Sequence, residues 1–257
     1  MLADLAAEHE ALDAIVRSCP PADWHLATPA AGWTVADQVF HLAFGEELAA
    51  MAVSNPDRFA ARVDELLGRV ELLDDEMIAT ARLLGPEAVL EAWRARRAAT
   101  LAALHAHDPT VRIPWVAGKM SATAFASARL METWAHGQDV VDAVGATREP
   151  TARLRHIAEL GVRTRGFSYM VRGKELPEAD VRLELSLDDG AVLTWGEHDS
   201  PDRVIGTVED FCLVVTQRRH WHDTGLKVDG ALAKEWLSIA QVFAGPPTDT
   251  RPPRHPR

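Results

Sequence analysis

The stretch METWAHGQDV, Met131 to Val140, lies in a run from 120 to 144 whose apolar residues recur every three or four positions. That spacing reads as a helix, and the fold of the first half of the chain turns on it. The helix turns Ala, Leu and Val inward, yet it also carries Glu132 and His136 one turn apart. Residues four apart on a helix share a face, so this carboxylate and imidazole can converge on one point. A metal ion and a plain hydrogen bond both satisfy that spacing.

Working outward, the same period holds up to about residue 147, broken at the turn-like clusters SCPPADW, SNPDR, LLGPE and HDPT. The expected helices are 2–17, 34–53, 56–82 with an interruption near Gly68, 86–106 and 120–144. Thr34 is the expected cap of the second, because it follows the turn AAGW and sets Asp37 at the third helical position. Beyond GATREP the pattern changes. A helix through RLRHIAELGVRTRGFSYM precedes VRLELSL, where Val181, Leu183, Leu185 and Leu187 alternate as in a half-buried strand. Asp188 to Gly190 suit a hairpin into AVLTW; a helix through VEDFCLVVTQRR, a short strand LKVDG and a final helix ALAKEWLSIAQVFAG follow. The fold class is therefore α plus α+β: a helical bundle over 1–147, a smaller α+β domain over 148–245 and a disordered Pro-rich tail over 246–257.

Twenty-seven Lys and Arg against 38 Asp and Glu leave a formal charge of −11, without the basic excess that would serve phosphate contacts. Nucleic acid is not an expected partner. The first helix has no basic leader, and no apolar run reaches the roughly 18 residues of a membrane span, so a cytoplasmic protein with no membrane partner is expected. Cys19 and Cys212 belong to no CxxC pair, which argues against a disulfide scaffold or an iron–sulfur cluster.

Of the eleven histidines, His9, His25, His156, His198 and His255 have no second ligand at helical or hairpin spacing and read as surface residues. His105 and His107 diverge at a helix end, where the dipole favours them without any function. In RRHWHD, His220, His222 and Asp223 form a competing cluster, opposed by the charge of Arg218 and Arg219. His41 stands apart, because it lies on the most apolar face of its helix, where a neutral imidazole must find a partner. Gly45, one turn later, is expected to leave room beside its ring. His41, Glu132 and His136 would together give two imidazoles and one carboxylate from two helices, with Asp139 placed to support one imidazole. Such a set suits zinc, ferrous iron or another divalent metal. Spacing leaves a metal and a plain hydrogen bond both open. Glu46 and Glu47 are expected to face solvent, and Trp24, Trp33 and Trp134 to serve packing.

WHLATPAAGWTVADQVFHLAFGEE, Trp24 to Glu47, followed by METWAHGQDVVDAVG, Met131 to Gly145, resembles the mycothiol-dependent maleylpyruvate isomerase family, a branch of the DinB-like metal-binding four-helix bundles. The likeness covers roughly residues 1–145. DFCLVVTQRRHWHDTGLKVDGALAKEWLSIAQVFAG, Asp210 to Gly245, resembles the domain named after wyosine base formation, itself similar to sterol-carrier-like α+β folds. Radical wyosine chemistry needs a three-cysteine cluster motif that this chain lacks. The first resemblance implies that His41, Glu132 and His136 bind one divalent metal, zinc first among them, and that mycothiol is cofactor or co-substrate. It also implies an activity-related arginine in the second domain, for which Arg218 and Arg219 are the candidates. The expected function is that of a metal- and thiol-dependent isomerase or transferase on a small activated substrate, acting as a monomer or homodimer. A thiol-free Lewis-acid enzyme and a hydrophobic-ligand carrier with a structural metal remain as alternatives.

Overall fold

A computed structural model of the protein describes residues 1–116, 118–248 and 251–253. The chain divides into two compact units, Met1–Arg148 and Glu149–Arg257. Among the described residues no helix is long and apolar enough to cross a membrane.

In the first unit, helices α1 (Leu2–Ser18), α2 (Val35–Ser54), α5 (Pro86–Ala106) and α6 (Ala122–Val144) form a four-helix ring in which α2 neighbours both α5 and α6. Helices α3 (Pro56–Leu67) and α4 (Val70–Leu84) lie between α2 and α5 in the chain and pack on α2. The core that holds them includes Leu12, Val16, Trp24, Val39, Phe40, Met77, Trp93 and Val140, all buried. Removing such side chains from water is the main favourable term in folding, about 1.5–3 kcal/mol for each large one.

The start of α2 is fixed by a reciprocal cap. The Asp37 N–H donates to Thr34 Oγ1 at 3.4 Å, and the Thr34 N–H donates to Asp37 Oδ2 at 2.8 Å. Two donors that the helix itself cannot satisfy are thereby met, worth about 1 kcal/mol. A short antiparallel hairpin, β1 (Ile113–Trp115) with β2 (Gly118–Met120), precedes α6. The helical period of the flanking segments gives no hint of it.

The second unit begins with α7 (Leu154–Arg163) and α8 (Arg165–Met170) in place of the single helix expected from residue 153 to 170. The break falls at Thr164, whose hydroxyl donates back to the Leu160 carbonyl at 2.9 Å. A four-stranded sheet follows with β3 (Arg182–Ser186), β4 (Val192–Trp195), β5 (Arg203–Thr207) and β6 (Lys227–Asp229) in the order β4-β3-β5-β6. β5 is a correction to the sequence reading, which had no strand between AVLTW and the next helix. It runs parallel to β3 and antiparallel to β6, so it is an inner strand. Helix α9 (Val208–Val215) is shorter than expected, because Gln217 takes a positive φ of 60° and the Arg218 N–H turns back to the Leu213 carbonyl at 2.8 Å. Helix α10 (Ala231–Ile239) ends the unit's regular structure. Of the tail expected to be disordered, residues 249–250 and 254–257, including His255, lie outside the described residues. Thr248, in contrast, donates through Oγ1 to Gln217 Oε1 at 2.7 Å.

Candidate metal centre

Helices α2 and α6 bring three side chains together. Glu132 Oε2 lies 3.3 Å from His136 Nε2 and 3.9 Å from His41 Nε2. Among the described residues these three form the one group of three or more His, Cys, Asp or Glu side chains whose ligand atoms converge, all within 4.8 Å of one another. Donors about 2.1 Å from a tetrahedral ion stand roughly 3.4 Å apart, which matches the Glu132–His136 spacing, and closing the group onto one ion would draw His41 inward. The donor chemistry fits as well, since two imidazoles and one carboxylate suit zinc and other divalent metals.

A hydrogen-bonded chain orients one of the imidazoles. Thr28 spends its hydroxyl proton on the Trp33 carbonyl at 3.0 Å, so it can only accept from Gln38 Nε2, at 2.9 Å. The Gln38 amide is thereby turned with Oε1 toward His136 Nδ1, at 2.6 Å. An amide oxygen cannot donate, so Nδ1 carries the proton and Nε2 is the ring nitrogen that faces Glu132, as a donor to the carboxylate without an ion and as a lone-pair ligand to one that binds. The cap at Thr34 decides where α2 begins, and Gln38 and His41, three apart, consequently share one face. Trp33, in the turn just before the cap, lies against both rings, its centroid 5.3 Å from that of His41 and 6.1 Å from that of His136. Trp33 serves packing, as expected, lying against the core as well as against these two rings.

Burial raises the proton affinity of the Glu132 carboxyl, but the two imidazoles and the Arg129 guanidinium outweigh it and hold the group well below the usual carboxylate range. Glu132 is therefore an anion at neutral pH, ready to act as a ligand.

Several expectations meet a different structure. Gly45 does not leave space beside His41: a Cβ there would come within 2.9 Å of Arg129 Nη1, so the guanidinium fills the gap. Glu46 does not face solvent. It is 1% exposed and lies 3.6 Å from His9, which is equally buried against the Trp93 ring and is no surface residue. Helix α2 is enclosed by neighbours over most of its circumference, which turns a position expected to be outer into an inner one. Glu47 does reach solvent, paired with Arg96 at 2.8 Å. In the competing cluster His220 Nδ1 accepts the His222 backbone N–H at 3.1 Å, and burial together with His222 pushes the His220 imidazole down. With Asp223 these residues make no convergent group.

Asp139 is buried on α6, three residues beyond His136, whereas the Nδ1 bond of His136 is made by Gln38. Arg218 and Arg219 lie in the second unit just after α9, with hydrogen bonds from Arg218 Nη1 to the Thr216 carbonyl at 2.7 Å and from Arg219 Nη1 to the Arg218 carbonyl at 2.9 Å. Sequence reasoning missed Thr28, Gln38 and Arg129. The three-residue step from Gln38 to His41 was the available signal for one of them.

Comparison with known proteins agrees with this architecture. Two proteins of Mycobacterium tuberculosis described only as uncharacterised, from strains CDC 1551 / Oshkosh and ATCC 25618 / H37Rv, are each 40% identical over 246 residues, 96% of this chain and 96% of their own length. A crystal structure of the mycothiol-dependent maleylpyruvate isomerase superposes with a TM-score of 0.59 at 17% identity, covering 88% of this chain and 90% of that one. A histidine-to-alanine variant of that isomerase gives 0.58 at 15% identity, with 84% and 88% covered. At such identities the likeness is one of fold. Residues 5–141, more than half of the chain, match the model of the mycothiol maleylpyruvate isomerase N-terminal domain, and the chain belongs to that family.

Proposed function

We propose that the protein is a divalent-metal enzyme, with zinc as the ion, that uses a low-molecular-weight thiol such as mycothiol as an isomerase or thiol transferase on a small activated substrate. The observation that carries this reading is the convergence of His41, Glu132 and His136 on one point, with His136 Nε2 facing inward and Nδ1 held by Gln38. The family supplies the thiol and the reaction class; the triad supplies a reason for them.

When bound, a cation with three protein ligands retains an open position and supplies the Lewis acidity that favours a thiolate or polarises a carbonyl. The remaining work falls to the chain itself. Gln38 and Thr28 keep His136 in the ligating tautomer. Trp33 shields one side of the imidazoles from water. Glu132, already ionised, brings the negative charge that offsets the cation. Asp139, buried on α6 three residues beyond His136, is the candidate to support an imidazole or to move a proton. Arg218 and Arg219 are the candidates to pair with an acidic group of the substrate or thiol, as planar guanidinium groups do.

Metal content of tag-free protein, measured by elemental mass spectrometry on wild type, His41→Ala and His136→Ala, tests the reading. About one zinc per chain, lost in both variants, supports it and leads to calorimetric titration of the zinc form with mycothiol. Wild type that holds no metal after zinc is supplied and the excess removed would leave Glu132 and His136 as a polar pair and end the proposal.

A further inference from the structure

Glu132 divides its two oxygens. Oε2 faces the imidazoles, while Oε1 lies 3.9 Å from Arg129 Nη2, one turn earlier on α6. The Arg129 side chain is 7% exposed, and among the described residues Glu132 is the one carboxylate it pairs with. Its Nε is buried without a hydrogen-bond partner. Burying a cation so incompletely satisfied is costly, and the surroundings show what holds it there. On one side the guanidinium lies 4.8 Å above the ring of Trp115, which is itself stacked on Phe59 and met edge-on by Phe125. On the other side α2 has Gly45, where any Cβ would press on Nη1 at 2.9 Å.

We propose that Arg129, held between Trp115 and Gly45, is a positioning residue that keeps Glu132 a one-oxygen ligand. By engaging Oε1 it leaves Oε2 alone to meet the ion, so that the carboxylate does not take a second coordination position and that position stays open for thiol or substrate. This rests on the metal reading above. It also explains Gly45 as the residue that lets the guanidinium reach the carboxylate. The site thus draws on the hairpin β1–β2 as well as on α2 and α6.

Cobalt(II) substitution with visible absorption, together with zinc affinity by chelator competition, tests the proposal on wild type, Arg129→Gln, Arg129→Lys and Gly45→Ala, each checked for folding by circular dichroism. In Arg129→Gln and Gly45→Ala the cobalt band is expected to weaken, as it does when coordination number rises, with zinc affinity not diminished because the freed oxygen adds a bond. Arg129→Lys, which restores charge without the planar fork, is expected to recover part of the band. A purely structural arginine would alter thermal stability and leave the cobalt band unchanged. Folded Arg129→Gln or Gly45→Ala with the wild-type band would overturn the proposal. Should Arg129→Gln not fold, Gly45→Ala decides, because it keeps the arginine and only displaces it. Wild type that takes up neither cobalt nor zinc would remove the metal reading itself, an outcome visible before any variant is compared.

Discussion

Gln38 Oε1 and His136 Nδ1 are 2.6 Å apart, and the Gln38 amide has no freedom to turn over because Thr28 can only accept from its nitrogen. Gln38→Leu removes the acceptor and frees the imidazole to rotate or change tautomer. Zinc affinity is expected to fall by about 10- to 100-fold, the usual range for loss of such a supporting group, with the fold retained. Thr28→Val, one step further along the chain of bonds, should weaken binding in the same direction by less. Competition with a chromogenic chelator measures both.

Asp13 on α1 receives Arg94 through two bonds of 2.7 and 2.6 Å and Arg97 at 2.9 Å. The Arg94 hydrogen bonds, and then the neighbouring positive charges, outweigh burial and hold its carboxyl below the ordinary value of 3.8. A folded value below the unfolded one means stability that is present above about pH 4 and lost as pH falls through the depressed folded value. Asp13→Asn is expected to cost about 3 kcal/mol at pH 7, since Arg94 and Arg97 both lose the buried carboxylate they share and Arg97 keeps only the exposed Glu10 at 2.9 Å. Urea melts from pH 7 to pH 3 should show the difference from wild type shrinking at the acid end; a constant difference would sink this assignment.

The His9–Glu46 pair joins α1 to α2 at 3.6 Å, with both side chains 1% exposed. His9→Leu is expected to destabilise by about 2 kcal/mol, because the carboxylate is then buried without its partner. The double variant His9→Leu, Glu46→Leu should regain much of that loss, as apolar replacement of a buried pair often does. Zinc stoichiometry should be unchanged in both. Denaturation midpoints and metal content on the same samples check the claim.

Much of the centre was legible because it obeys helix geometry. Glu132 and His136 are four apart, and His41 is a polar exception on an apolar face. Those are local facts, and local facts survive into the fold. Gln38 shares the face of His41 and could have been read from that step, whereas Arg129 and its close approach to Gly45 were hidden because they meet across the α2–α6 contact, which no periodicity encodes. Glu46 was misplaced for a related reason: the helical angle from His41 says which way it points but not what packs there, and α1 packs there. The hairpin strands β1 and β2 have three residues each, too few for alternation to show, and in β5, RVIGT, the adjacent Val204 and Ile205 followed by Gly206 break the alternation.

Thr28, Trp33, Gln38 and His41 all belong to one turn and the first turns of the helix that follows it, whereas His136 meets Gln38 from 98 positions away. Half of the candidate centre is thus local and half arrives only when a long loop closes. Closing such a loop has an entropic cost that grows slowly with its length, and a shared ion would offset it by fastening the two ends. The ion in this protein would therefore act on the polypeptide as a reversible cross-link, its loading and the docking of α6 onto α2 becoming a single cooperative event.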